Sequence, residues 1–217
     1  MKKILRSLCA VLLSAVLLCP PLLPCAGAES ETVFLRTPED WTAFVQSCRL
    51  DAWSQGKTVR LENDLDLSGL ESVPTFGGTF DGGGHTIKGL SCTQEGSHQG
   101  LFRYVQEGAG IVNLTVTGTV APTGTSRAVG GIAGVNRGTI ARCRFDGTVI
   151  GTDGVGGIAG INEASGQLVN CTSAGAVSGE HYTGGISGEN YGSIVRCTNE
   201  ARVNTQEAEV SPELDTL

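Results

Sequence analysis

Val129-Gly130-Gly131-Ile132-Ala133-Gly134-Val135-Asn136 opens a unit that the chain writes three times. Gly130 to Gly134 recurs as Gly156-Gly157-Ile158-Ala159-Gly160 and as Gly184-Gly185-Ile186-Ser187-Gly188. Two residues after each copy stands an asparagine: Asn136, Asn162 and Asn190. An aliphatic follows (Ile140, Leu168, Ile194), then a cysteine three residues on (Cys143, Cys171, Cys197), then a valine six further (Val149, Val177, Val203). The glycine-to-glycine offsets are 26 and 28 residues. A fixed period in this range marks a solenoid, each repeat being one supersecondary unit stacked on the next.

Upstream, Gly100-Leu101-Phe102 opens a degenerate copy, and Ile111 to Val116 aligns with Ile140 to Phe145. Leu114 then holds the cysteine position. Leucine exchanging with cysteine reads as an inward apolar row rather than a ligand set. Cys143, Phe145, Gly147 and Val149 share one strand face, while Arg144, Asp146 and Thr148 face solvent. Thirty of the 32 glycines fall between Gly69 and Gly192. That density, with alternating Val, Ile and Thr, favours many short strands and tight corners. An all-β parallel solenoid of about five to six coils is expected over 57–203.

Ahead of it, 29–56 reads as a strand (Thr32-Val33-Phe34-Leu35) and a capping helix. Thr37-Pro38-Glu39-Asp40 supplies a hydroxyl cap, a first-turn proline and acids. Trp41, Phe44, Val45, Cys48 and Ala52 fall on one helical face, and the helix is expected to run to about Ser54, before Gly56. Its role would be to cover the solenoid's open end. Residues 204–217 lose the pattern and read as an acidic flexible tail.

The chain begins with a basic stretch (Lys2, Lys3, Arg6), an apolar run from Leu8 to Leu18, and Ala26-Gly27-Ala28. This is the layout of a secretory signal peptide over 1–28. A lipoprotein signal acylated at Cys25 is the alternative, with Pro24 against it. The run is too short to span a bilayer. Cleavage would take the net charge from −7 to −10 and the cysteines from eight to five. An acidic chain without a basic cluster is a poor match for nucleic acid. A secreted or cell-surface location is expected.

Gly-Gly-Ile-Ala-Gly and Gly-Gly-Ile-Ser-Gly resemble the GLUG motif. It occurs in extracellular bacterial proteins, including non-catalytic regions of immunoglobulin A-cleaving metalloproteases. Leu61 to Leu67 and Phe76 to Ile87 resemble the opening coils of that group. The resemblance covers roughly residues 57–203. It implies a right-handed parallel β-helix and a secreted or surface setting, and it carries over no catalytic residues.

The chemistry is sparse. His-Glu-x-x-His is absent, and His85, His98 and His181 lie far apart. Asp81-Gly82-Gly83-Gly84-His85 lacks the ending of a P-loop and reads as a corner, with Asp81 bonding local amides. No Cys-x-x-Cys spacing and no calcium nonapeptide occurs, so no metal, cofactor or catalytic residue is assigned. Asn136, Asn162 and Asn190 form either a structural amide ladder, each tolerating a left-handed turn, or a sugar-binding row. The sequons at Asn113 and Asn170 fall in expected strands. Outward acids (Asp146, Asp153, Glu163, Glu180, Glu189) do not align between copies. His181, Tyr182 and Tyr191 are the candidate ligand-binding residues, as a sugar-stacking patch.

The expected function is a non-catalytic extracellular module for adhesion, binding or structure, with glycans or host or cell-surface proteins as partners. Two alternatives stay open. One is a polysaccharide lyase or hydrolase, which needs two outward carboxylates within one groove. The other is a piece or relative of a larger surface protein or protease.

Overall fold

The computed structural model describes residues 31–204, so the signal segment and the acidic tail beyond Asn204 lie outside the described residues. Those residues form 21 short strands and one helix. Every strand pairing is parallel, and the strands sort into four sheets along a solenoid of about six turns. The expected parallel all-β stack is thus the architecture observed.

One regular coil shows the construction. Strands Arg127–Gly130, Ala133–Asn136, Thr139–Ala141 and Arg144–Ile150 each pair with their equivalents one repeat later. Side chains alternate in and out, so equivalent inward residues stack into rows. The longest row runs Val33, Val59, Phe80, Ile111, Ile140, Leu168, Ile194. A second runs Cys92, Val120, Val149, Val177, Val203. Cys143 and Cys171 are buried, and all five described cysteines are free thiols. The Cys143 thiol, which donates to the Ile111 and Ala141 carbonyls, is held well above its ordinary range, first by the neighbouring Cys171 thiol and then by burial. It stays protonated and acts as a small apolar filler.

The asparagines form the amide ladder. Asn136 Nδ2 donates to Asn162 Oδ1 at 2.8 Å, and Asn162 Nδ2 donates to Asn190 Oδ1 at 2.7 Å. Asn136 and Asn162 are buried. Each rung satisfies polar atoms that burial would otherwise leave costly.

The helix Pro38–Ser47 has the expected cap: Thr37 accepts from the Asp40 amide, and the Asp40 carboxylate accepts from the Thr37 amide. Trp41, Phe44, Val45 and Cys48 are buried against the first coils. Trp41 and Phe44 lie 5.5 Å apart, Phe44 and Phe76 5.9 Å, and Phe80 and Phe102 5.3 Å, mostly edge to face. Trp41 Nε1 donates to the Glu71 carbonyl at 3.0 Å.

Several expectations need correction. The helix stops at Ser47, not Ser54. From Arg49 to Gln55 the backbone makes three-residue turns (Leu50 to Ser47, Trp53 to Leu50), and Ala52 faces solvent. The left-handed corner does not fall at the ladder asparagines. It falls at Asn113, Arg142, Asn170 and Arg196, with φ between 52° and 56°. Those side chains link along the stack: Arg142 Nε to Asn113 Oδ1 at 2.7 Å and Arg196 Nε to Asn170 Oδ1 at 2.9 Å. The two sequon asparagines therefore sit at corners rather than in strands, and their carbonyl oxygens are engaged. Asp81 does bond its corner, accepting from the Gly83 amide at 3.0 Å, and also takes a bond from Asn113.

Candidate functional site

One surface on which the copies differ is the outward side of the glycine corner. Two strands of each coil meet there, and the glycines let backbones touch across coils. A Cβ at Gly160 would collide with the Ala128 backbone, and one at Gly188 with Gly154 and Val155. Two rows of varying residues run along this surface. One is Tyr104, Val135, Ile161, Glu189. The other is Arg127, Asp153, His181, with His98, Ala128, Gly154 and Tyr182 beside it, all four at positive φ. Ala128, Val135 and Ile161 form a small apolar cluster separate from the main core.

At the last coil the surface turns polar and aromatic. Glu189, read from sequence as a scattered outward acid, is 9% exposed. Arg127, two coils earlier, reaches it at 3.0 Å through Nη2, and the Tyr191 hydroxyl donates to its other oxygen at 2.6 Å. Arg127 also approaches Asp153 at 3.8 Å. Gly154 leaves the room that Glu189 occupies: a Cβ there would stand 3.2 Å from Glu189 Oε1. The Tyr191 bond, then Arg127, hold the Glu189 carboxyl below its ordinary range against the opposing effect of burial. The same bond and the carboxylate's charge raise the Tyr191 hydroxyl, with a small contribution from nearby Tyr182.

Tyr182 and Tyr191 are 68% and 66% exposed. Tyr191 is bonded to the Glu189 carboxylate, and Tyr182 lies near enough to influence the Tyr191 hydroxyl. His181 lies on the same strand as Tyr182, in register with Asp153, and is exposed. Sequence reading missed Arg127 and Glu189 as members of this patch. They are 62 residues apart, and only the repeat register, projected over two coils, could have paired them.

The patch offers exposed aromatic faces and a fixed carboxylate as contacts for a ligand. Aromatic faces stack on sugar rings or apolar side chains, and the carboxylate orients the rim. Two carboxylates do flank Arg127. Both oxygens of Glu189 are occupied, and its depressed pKa is the opposite of what a general acid needs. Among the described residues, no group of three or more His, Cys, Asp or Glu side chains is placed to hold a metal ion. Among the same residues, no helix is long and apolar enough to cross a membrane.

Comparisons with known proteins bear on the fold and setting. No protein-family model matches the chain, so the likeness to GLUG repeats rests on the residues quoted above. A halomucin of Haloquadratum walsbyi is 32% identical over 162 residues, covering 64% of this chain. The chain spans only 2% of that relative's length. A solved chain from Bacteroides ovatus, described as a candidate immunoglobulin A1 protease, matches with a TM-score of 0.51 at 20% identity. The match covers 80% of this chain and 77% of that one. The chain is thus similar in fold to the solved Bacteroides ovatus chain and in sequence to a stretch of a much longer halomucin.

Proposed function

We infer that this protein is a non-catalytic extracellular β-solenoid module that binds glycans or proteins at a cell surface. One observation carries the reading. The repeated residues are consumed by stacking, whereas Tyr182 and Tyr191 stand exposed near the buried Glu189, which the exposed Arg127 reaches. The likeness to halomucin supports the surface setting. Adhesion is the finer form of this reading: a rigid stack presents its varying face without ordering cost at the moment of binding.

A second reading has one observation in its favour. Asp153 and Glu189 both meet Arg127, which gives a polysaccharide-cleaving site a possible carboxylate pair. The occupied oxygens of Glu189 oppose it. A glycan and host-protein binding array, run beside a polysaccharide turnover screen, separates the two. Binding without turnover is the expected result. Turnover abolished by Asp153→Asn or Glu189→Gln would overturn the non-catalytic assignment.

A further inference from the structure

A second site lies at the other end of the same outward surface, where the first regular coils meet the segment after the helix. Two open clefts adjoin there, about 460 Å³ and about 600 Å³ in volume, and share Arg49, Pro74 and Arg103 as a common wall. Both volumes fall in the usual range for small-ligand sites. Arg103 is the distinctive member. Its Nε donates to the His98 carbonyl and its Nη2 to the Ser97 carbonyl, each at 3.2 Å. These bonds fix the guanidinium plane. No carboxylate among the described residues pairs with it, although Arg49 pairs with Glu71 at 2.8 Å and Arg137 with Glu163 at 2.9 Å.

The smaller cleft is lined by three arginines (Arg49, Arg103, Arg137) and one carboxylate, Asp51, in a chain with 22 acids and 15 bases. Tyr104 lines it too, 38% exposed, its ring 5.0 Å from that of His98 and tilted by 32°. Gln106 is held at the cleft by bonds from its Nε2 to the Asp51 carbonyl and the Thr75 hydroxyl, both 3.1 Å. The larger cleft offers hydroxyls and amides (Ser91, Thr93, Gln94, Gln99) but also Glu71 and Glu95, so an anion would sit on the Arg137 side.

We propose that this trough binds an acidic oligosaccharide, with a carboxylate or sulfate on Arg103 and a sugar ring against Tyr104. A planar guanidinium already oriented by backbone carbonyls retains donors for one more oxyanion, and such forked pairing is strong and directional. The aromatic ring beside it takes the apolar face of a pyranose. The trough is separate from the Tyr182–Tyr191 patch, so the two sites stand or fall independently.

The test is calorimetric titration of the protein with three probes: a hyaluronan oligosaccharide (carboxylate only), a dextran sulfate oligosaccharide (sulfate only) and maltohexaose (neither). Binding of at least one acidic probe, and none of maltohexaose, is expected. Arg103→Gln should weaken it by about tenfold or more, and Tyr104→Ala by about threefold or more. The bound probe distinguishes carboxylate from sulfate recognition. Because Arg103 also anchors the 97–98 backbone, Tyr104→Ala decides the matter if the arginine variant loses its thermal transition. Failure of both acidic probes, equal binding of maltohexaose, or affinity unchanged in the deciding variant would overturn the proposal.

Discussion

The two ends of the stack are built from the same repeat and held in different ways. At the first coils, Trp41, Phe44, Phe76, Phe80 and Phe102 form a continuous aromatic core beneath a capped helix, each of them nearly inaccessible. At the last coil, the equivalent rows end in Ile194, Cys197 and Val203, which are half-buried or exposed, and strand Ser193–Val195 faces solvent throughout. The inner position held by Ile87, Val116 and Phe145 becomes Ser173 and then Asn199. Ser173 is buried, and its hydroxyl has no hydrogen-bond partner among the described residues. The core therefore thins and turns polar toward the coil that carries Tyr182, Tyr191 and Glu189. Stability in a solenoid is a sum over repeats and their interfaces. Binding surfaces elsewhere tend to be drawn from the less stable elements.

Matched substitutions along the same inward rows give the largest contrast. Cys171→Arg buries an unpaired charge in a closed row and should abolish the cooperative thermal transition. Cys197→Arg, at the half-exposed end of that row, should leave a transition measurable by circular dichroism. Loss of folding in both would mean that the last coil is as tightly sealed as the one before it. Phe80→Ala removes an aromatic that touches Trp41, Phe44, Phe76 and Phe102, and should cost about 3–5 kcal/mol in urea unfolding. Ile194→Ala, in the same sheet row, should cost under about 1 kcal/mol. Comparable values would contradict the gradient.

The amide ladder grades in the same direction. Asn162→Ala strands the Asn136 amide and the Asn190 oxygen together, for a loss of about 1–3 kcal/mol. Asn190→Ala removes only the last rung and should cost less by the same assay. An equal cost would place the weak point elsewhere.

The smallest effect is in acid. Glu189 has its folded pKa depressed below the ordinary glutamate range, so the stability it contributes is present above that range and lost as pH falls through the folded pKa. Glu189→Gln should therefore narrow the stability difference between neutral and acid solution. Asp64, Asp66 and Asp81 are depressed as well and will leave a residual slope in the variant. An unchanged pH profile would show that the Arg127–Glu189–Tyr191 cluster adds nothing to folding.

These contrasts also show why some of the molecule was legible in sequence and some was not. Rows of Val, Ile, Leu and Cys repeat because stacking demands the same inward residue in every coil, and such demands are written periodically. The helix cap was legible for the same local reason: Thr37, Pro38 and Asp40 act within one turn. The left-handed corner was not. Arginine at positive φ at 142 and 196 is uncommon, and only its alternation with Asn113 and Asn170 hints at the role. The helix end was misjudged because Ala52 kept the apolar spacing although the backbone had already tightened into turns. In the candidate site, Tyr182 and Tyr191 stood out as rare aromatics. Glu189 looked like any surface acid, because its burial depends on Gly154 and on Arg127 reaching across two coils. Arg103 gave no signal, since its partners are backbone carbonyls.

The central claim is that repeated residues hold the stack and the differing residues of the last coil bind. A glycan and host-protein array, probed with the wild-type chain and with Tyr182→Ala/Tyr191→Ala, tests it most directly. The account predicts a defined set of bound ligands, lost in the double variant while its thermal transition is kept. The same ligands bound equally by both proteins, or no ligand bound by the wild type, would contradict it.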